Sequence, residues 1–269
     1  MENNNRVLQY YENANEDERI LRHPIEFIRT KEIISRYLPE KQIKILDTCG
    51  ASGHYAYWLA EKGHEVHLMD LSPKHIITAK NNRQKYKASL ASIKIGDARS
   101  LEYENESFNM VLLMGALYHL QEKSDRILCL KEANRILKPG GIGIFAYISR
   151  CAIILDGFRK DYVNDPAEKE LIDIDFLNGK HDSKLDKVGY FPNKYLHSTQ
   201  EIYDELLSTT YCDITIYGIE GFSELIDQRK YLEDDTKLKT LLHYLRLIEQ
   251  DKEIMGISDH KLVICKKIK

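Results

Sequence analysis

The stretch LDTCGASGHYA, from Leu46 to Ala56, ends an apolar run in an acid, Asp47, then passes through small residues into a helix-forming sequence. With no Cβ at Gly50 or Gly53 a ligand can come close to the backbone, and the helix beyond begins with amides that have no intrahelical acceptor. Asp70 closes the next apolar run, about twenty residues further on, where a carboxylate can accept hydrogen bonds from both hydroxyls of an adenosine ribose. Charge-assisted bonds of that kind contribute roughly 1.5–3 kcal/mol each, enough to select a ribose. Either feature alone also fits a tight turn or a helix cap; the two in this order point to a nucleoside-bearing ligand.

Holding such residues in place takes alternating strands and helices. IKILD (43–47) and EVHLMD (65–70) read as strands. Between them HYAYWLAEKG has helical spacing and ends on Gly63 as a C-cap. Ser72 and Pro73 open the next helix as N-cap and first residue. ASIKIGDA supplies a third strand, and FNMVLLMGA a fourth that is apolar throughout, as burial on both faces requires. An amphipathic helix over 124–137 is stopped by Lys138-Pro139-Gly140-Gly141, and GIGIFAY follows as a fifth strand. This alternation is the pattern of βαβ units on a parallel sheet. Farther on, QEIYDELLST reads as helix, CDITIYGI as strand, 224–251 as mostly helix and HKLVICKKI as a last strand. The expected fold is α/β and Rossmann-like: a seven-stranded, mostly parallel sheet with an antiparallel edge strand, helices on both faces and a helical cap insertion. The expected divisions are an N-terminal helical lid (1–42), a cofactor-binding core (43–148), a cap or substrate insertion containing the loop KVGYFPNKY (149–196), and the C-terminal part of the sheet with a helical excursion (197–269).

The run ILDTCGASGHYAYWLAEKGHEVHLMDLSP resembles the first motifs of class I S-adenosylmethionine-dependent methyltransferases of the type 11 group. GDARSL, LLMGALYHL and RILKPGG resemble the later motifs in their usual order, so the resemblance covers residues 43 to 147. It implies S-adenosylmethionine as cofactor, S-adenosylhomocysteine as product, and methyl transfer to a small or medium-sized acceptor. Position by position, it implies that Gly50, Ala51 and Gly53, beside the strand-end acid Asp47, line the methionine part. Asp70 would bind the ribose, with Leu71 by the adenine; Asp97 would accept from the adenine amine, with the Ala98 amide nearby. Met114 would hold the amino group through its carbonyl, and Gly115 would keep that corner open. Tyr10, Tyr11 and Arg19 resemble a lid over the cofactor. Cys49 and Ala51 stand where the family usually has glycine, so a turn needing φ > 0 at either would be strained by about 1 kcal/mol or more.

In-line displacement at a sulfonium carbon asks mainly for alignment of nucleophile and methyl group, and for a base only when the acceptor arrives protonated. Tyr118 and His119, just past the fourth strand, are the first candidates for acceptor orientation or proton removal; a structural pair capping the next helix is the other reading. His197 precedes Ser198 and Thr199 at a helix start, where an imidazole is favoured in its neutral, basic form, or where it simply supports the cap.

Composition narrows the setting. The 39 basic and 42 acidic residues give a net charge of -3 and are interspersed, with none of the basic striping that nucleic acid demands. Five scattered cysteines without a C-x-x-C pair fit free thiols, with neither a disulfide framework nor a zinc centre, and no metal is expected. There is no signal-like start and no run of about 18 apolar residues. The expectation is a cytoplasmic monomer or homodimer that meets a small-molecule acceptor and no membrane, with nucleic acid disfavoured. The alternatives are a tRNA or nucleoside methyltransferase, which the even charge opposes, and a non-catalytic cofactor binder, which Cys49 and Ala51 favour.

Overall fold

Along the central strands, neighbouring residues enter different cores. Ile45 packs on one side of the sheet with Met110 and Leu112, while Leu46 packs on the other with Val111 and Leu113. Each such side chain contributes roughly 1.5–3 kcal/mol by leaving water, so a one-residue slip in register would reverse every one of them. The computed structural model describes residues 2–13, 23–185 and 192–268.

After α1 (Glu2–Asn13) and α2 (Pro24–Ser35), the chain alternates β1 (Lys44–Thr48), α3 (His54–Glu61), β2 (Glu65–Asp70), α4 (Pro73–Asn82), β3 (Ser92–Ile95) and β4 (Phe108–Leu113). A single turn, α5 (Ala116–His119), leads to α6 (Lys123–Ile136) and β5 (Leu137–Ile148). The cap follows: α7 (Ala152–Arg159), α8 (Pro166–Asn178) and an antiparallel pair of short strands, β6 (Lys180–His181) and β7 (Lys194–Tyr195). Part of the loop KVGYFPNKY lies outside the described residues. Then come α9 (Thr199–Leu207), β8 (Tyr211–Gly218), α10 (Arg229–Leu232), α11 (Asp235–Ile248) and β9 (His260–Lys267).

The seven-stranded sheet has the order β3-β2-β1-β4-β5-β9-β8. β9 alone runs antiparallel to its neighbours, at the margin of the parallel set and one place in from the border strand β8. β5 is longer than the expected GIGIFAY: Leu137 already pairs with Phe108, and the register then skips to Met110 opposite Ile142, so 138–141 form an irregularity at the strand's entry. Helices α2, α3 and α4 cover one face, and α6 and α9 the other. All parallel strands therefore end on one edge, and the order reverses between β1 and β4, the place where open α/β sheets leave a crevice. Among the described residues, no helix is long and apolar enough to cross a membrane.

Candidate active site

The turn after β1 is built under strain. Cys49 and Ala51 both have positive φ, 60° and 47°, in the region that disfavours a Cβ. Three hydrogen bonds hold them there: the Gly50 amide donates to the Met69 carbonyl (3.2 Å), Gly53 to Gly50 (2.8 Å), and Ala51 to Oδ2 of Asp70 (2.9 Å). At Gly50 itself a Cβ would lie 2.2 Å from Cδ1 of Leu68 and 2.7 Å from Oδ2 of Asp47, so only glycine fits. The Asp47 carboxylate directly below is fully buried, and no described side chain pairs with either oxygen. Burial and the neighbouring Asp70, opposed by the Ala56 amide, push its carboxyl up to about 8. Asp70 is buried too, and its Oδ1 accepts from the Ser72 amide (2.8 Å) and lies 3.1 Å from Nδ1 of His75.

These residues open onto a cleft of about 1000 Å³, counting its mouth, at the carboxyl edge of β1, β2 and β4. Gly50, Ala51, Asp70, Leu71, Asp97, Ala98, Met114 and Gly115 line it, and Tyr118, His119 and Tyr11 close its far side. Two of these polar groups are engaged in ways the sequence did not disclose. Both oxygens of Asp97 are held by Arg99 (2.6 Å to Nη2, 3.0 Å to Nε), which also reaches Asp125 (2.8 Å). The Tyr118 hydroxyl donates to the Met114 carbonyl at 2.9 Å. Nε2 of His119 lies 2.7 Å from the Tyr11 hydroxyl, which brings α1 over the cleft. Gly115 lets the exit of β4 meet the first turn, since a Cβ there would sit 3.1 Å from that of Cys49. The thiols of Cys49 and Cys129 also face the cleft; burial raises both well above the ordinary range, so they stay protonated and make poor nucleophiles.

The family model described as a methyltransferase domain matches residues 46–145. That segment is similar to a methyltransferase domain. Its fold, in company with the flanking residues, is that of the class I S-adenosylmethionine-dependent methyltransferases. A crystallised S-adenosylmethionine-dependent methyltransferase of Thermotoga maritima superimposes over 97% of this chain and 99% of its own, with a TM-score of 0.60 at 19% identity. Phosphoethanolamine N-methyltransferase 2 of Haemonchus contortus, solved with phosphomonomethylethanolamine and S-adenosylhomocysteine, matches 90% of this chain and 52% of its own, with a TM-score of 0.55 at 19% identity. In sequence, a demethylmenaquinone methyltransferase of Staphylococcus aureus is 33% identical over 107 residues. The match takes in 38% of this chain and 42% of that relative, so the chain spans about two-fifths of the length of the curated relatives it matches.

Within residues 46–145, Asp47 and Gly53 stand behind the cleft wall: Asp47 lies under Gly50, and Gly53 takes the N-cap position of α3 with φ 89°. His197 lies apart from the cleft. It is fully buried between the rings of Tyr147 (4.7 Å) and Tyr195 (4.6 Å), with Nε2 3.7 Å from Glu205, and burial lowers its pKa, so it is a neutral packed side chain with no lining role. Arg19 lies outside the described residues. Tyr10 stacks edge-on against Tyr11 (5.1 Å) and does not line the cleft. Sequence reasoning missed His54, Tyr55, His75 and Cys129, all lining residues. Only His75 left a signal: it sits three residues past the N-cap Ser72, in the first turn of α4, where the helix start faces back toward Asp70. Outside the cleft, ligand-type atoms of Glu26, Glu220 and His260 come within 4.8 Å of one another, but Glu220 already serves Ser258 and both the amide and the ring of His260.

Proposed function

We propose that this protein is an S-adenosylmethionine-dependent methyltransferase whose acceptor is a small molecule. The observation that carries the reading is Asp47, a fully buried carboxyl with no side-chain partner, just behind the cleft wall beneath Gly50, where no Cβ has room. A carboxylate in that position is costly unless a cation offsets it, and a sulfonium or ammonium group in the cleft meets that need. The name of the Staphylococcus relative puts its acceptor among small molecules, and we take that class for the acceptor here.

When bound, S-adenosylmethionine supplies an electrophilic methyl on positively charged sulfur and departs as the neutral thioether S-adenosylhomocysteine. Everything else falls to the chain. Asp70, already engaged by the Ala51 and Ser72 amides and by His75, accepts from one ribose hydroxyl, and Leu71 and Ala98 give the adenine an apolar bed. The Met114 carbonyl, shared with the Tyr118 hydroxyl, accepts from the amino group. Asp97 fixes Arg99 and faces the adenine amine. Tyr118 and His119 orient the acceptor, His119 taking a proton where the acceptor carries one. Val7, Leu8 and Tyr11 keep water away from the reacting atoms.

Isothermal titration with S-adenosylmethionine, S-adenosylhomocysteine and NAD tests this. Both adenosyl compounds should bind in the micromolar range and NAD should not. Asp70→Ala should weaken binding by roughly 10–100-fold, the loss of one charge-assisted hydrogen bond. Binding of NAD alone, or an Asp70→Ala affinity equal to wild type, would overturn the assignment.

A further inference from the structure

The cap encloses a second cavity, of about 350 Å³ counting its mouth, between α7, α8 and the β6/β7 strands. Its apolar side is made by Ile153, Leu171 and Ile172, and its polar side includes Glu168, His181 and Lys194. Glu168 is the unusual member. The residue is only 7% exposed, yet its carboxylate has no hydrogen bond or ion pair to any described residue. A carboxylate on a largely buried residue gains from a partner. The start of α8, where Glu168 sits in the first turn, favours negative charge there. Among the described residues no side chain donates to it, so the helix supports the carboxylate without satisfying it. Asp156, also on the wall, is already taken by Lys160 at 2.8 Å, and Lys194 has interactions of its own.

We propose that this cavity is a ligand site for a small aliphatic ammonium compound, its charged nitrogen donating to Glu168 and its carbon chain lying against Ile153, Leu171 and Ile172. The surrounding wall is preset. The Nδ1 of His181 lies 2.6 Å from Oδ2 of the fully buried Asp175, which fixes the ring. The His181 carbonyl in turn accepts from Nε2 of Gln121 (2.7 Å), and Gln121 follows the cleft residues His119 and Leu120 directly. Occupancy of the cap is thereby tied to the wall of the methyl-donor cleft. The same chemistry serves a methyl acceptor or an effector that is never methylated, and only that distinction rests on the proposed methyl transfer.

The test uses the full chain with n-butylammonium and n-hexylammonium chlorides at constant ionic strength, and n-hexanol as the uncharged control. The ammonium ions should raise the thermal midpoint saturably, since a ligand specific to the folded state stabilises it, and n-hexanol should do so much less. Glu168→Gln, which keeps the shape, should weaken the apparent affinity for n-hexylammonium at least tenfold. If that variant does not fold, the carboxyl ¹³C resonance of Glu168 in the wild type should shift along the same saturation curve. A response equal in wild type and Glu168→Gln, or no saturable response and an unmoved resonance, would overturn the site. Incubation with radiolabelled S-adenosylmethionine then separates the two sources: a methylated amine marks an acceptor, and binding without methylation marks an effector.

Discussion

Asp47 is the residue whose chemistry is most sensitive to what fills the cleft. Its carboxyl sits at about 8 in the fold, raised by burial and then by Asp70, against an ordinary value near 3.9 for an unfolded chain. Between those two values the folded state holds a proton that the unfolded chain has released. The corresponding stability is therefore full below about pH 4 and is lost as pH rises toward 8. A cation above Gly50 reverses the preference and ionises the acid. Binding of S-adenosylmethionine near pH 7 should accordingly release up to one proton from this site. Titration calorimetry in two buffers of different ionisation enthalpy reads that number directly, and Asp47→Asn should remove the release while preserving the shape of the turn. Heats that do not depend on the buffer in the wild type would show that no cation comes near Asp47. The strained neighbours Cys49 and Ala51 belong to the same design: the departures from glycine left the turn intact, because three backbone hydrogen bonds hold positive φ at both.

Elements differ in how far the sequence discloses them. β1 to β5 were legible because each is a short apolar run closed by an acid, a glycine turn or a Pro-Gly stop, and the two-core alternation of Ile45 and Leu46 follows from period-two geometry. The two-residue strands β6 and β7 carry no periodic signal at all. Polar residues buried by distant partners were the main loss. Arg126 lies in the helix read as amphipathic over 124–137, and it is 2% exposed. From α6 it grips Oε1 of Glu205 in α9 (2.7 Å) and caps the carbonyls of Leu120 and Gln121 (2.9 and 2.8 Å) at the end of α5. The partner lies 79 residues away, so no local pattern could announce it. His197 misled for the same reason: its place before a helix suggested access, and Tyr147 and Tyr195 close it off. Because Glu205 would stay buried without its guanidinium, Arg126→Ala should lower stability by about 3–5 kcal/mol, measured as a shift of the urea midpoint at constant slope. A loss under 1 kcal/mol would mean that water reaches Glu205 and that the pair does not join α6 to α9.

At the scale of the molecule, the two faces of the sheet hold the fold and α1 is an addition to it. The helix has 12 residues, a length that is marginal in isolation, and among its described side chains only Val7 is buried. It is held mainly at its end: the Lys74 ammonium donates to the carbonyls of Tyr11 (3.1 Å) and Glu12 (2.7 Å), where a cation suits the helix terminus. Tyr11 adds its contacts with His119 and with the His75 ring at 4.8 Å. A terminal helix held by contacts of this kind can open locally without unfolding the rest. Opening it would admit cofactor, and closing it would cover the cleft with Val7, Leu8 and Tyr11. Removal of residues 1–22 should therefore leave the circular dichroism and the thermal midpoint of the unliganded protein nearly unchanged. It should weaken S-adenosylhomocysteine binding roughly tenfold, about 1.4 kcal/mol, mostly through faster dissociation. Tyr11→Phe, which loses the bond to His119, should fall between the two. Equal affinity in the shortened chain would make α1 a bystander to the cleft, and collapse of the shortened chain would make it part of the core.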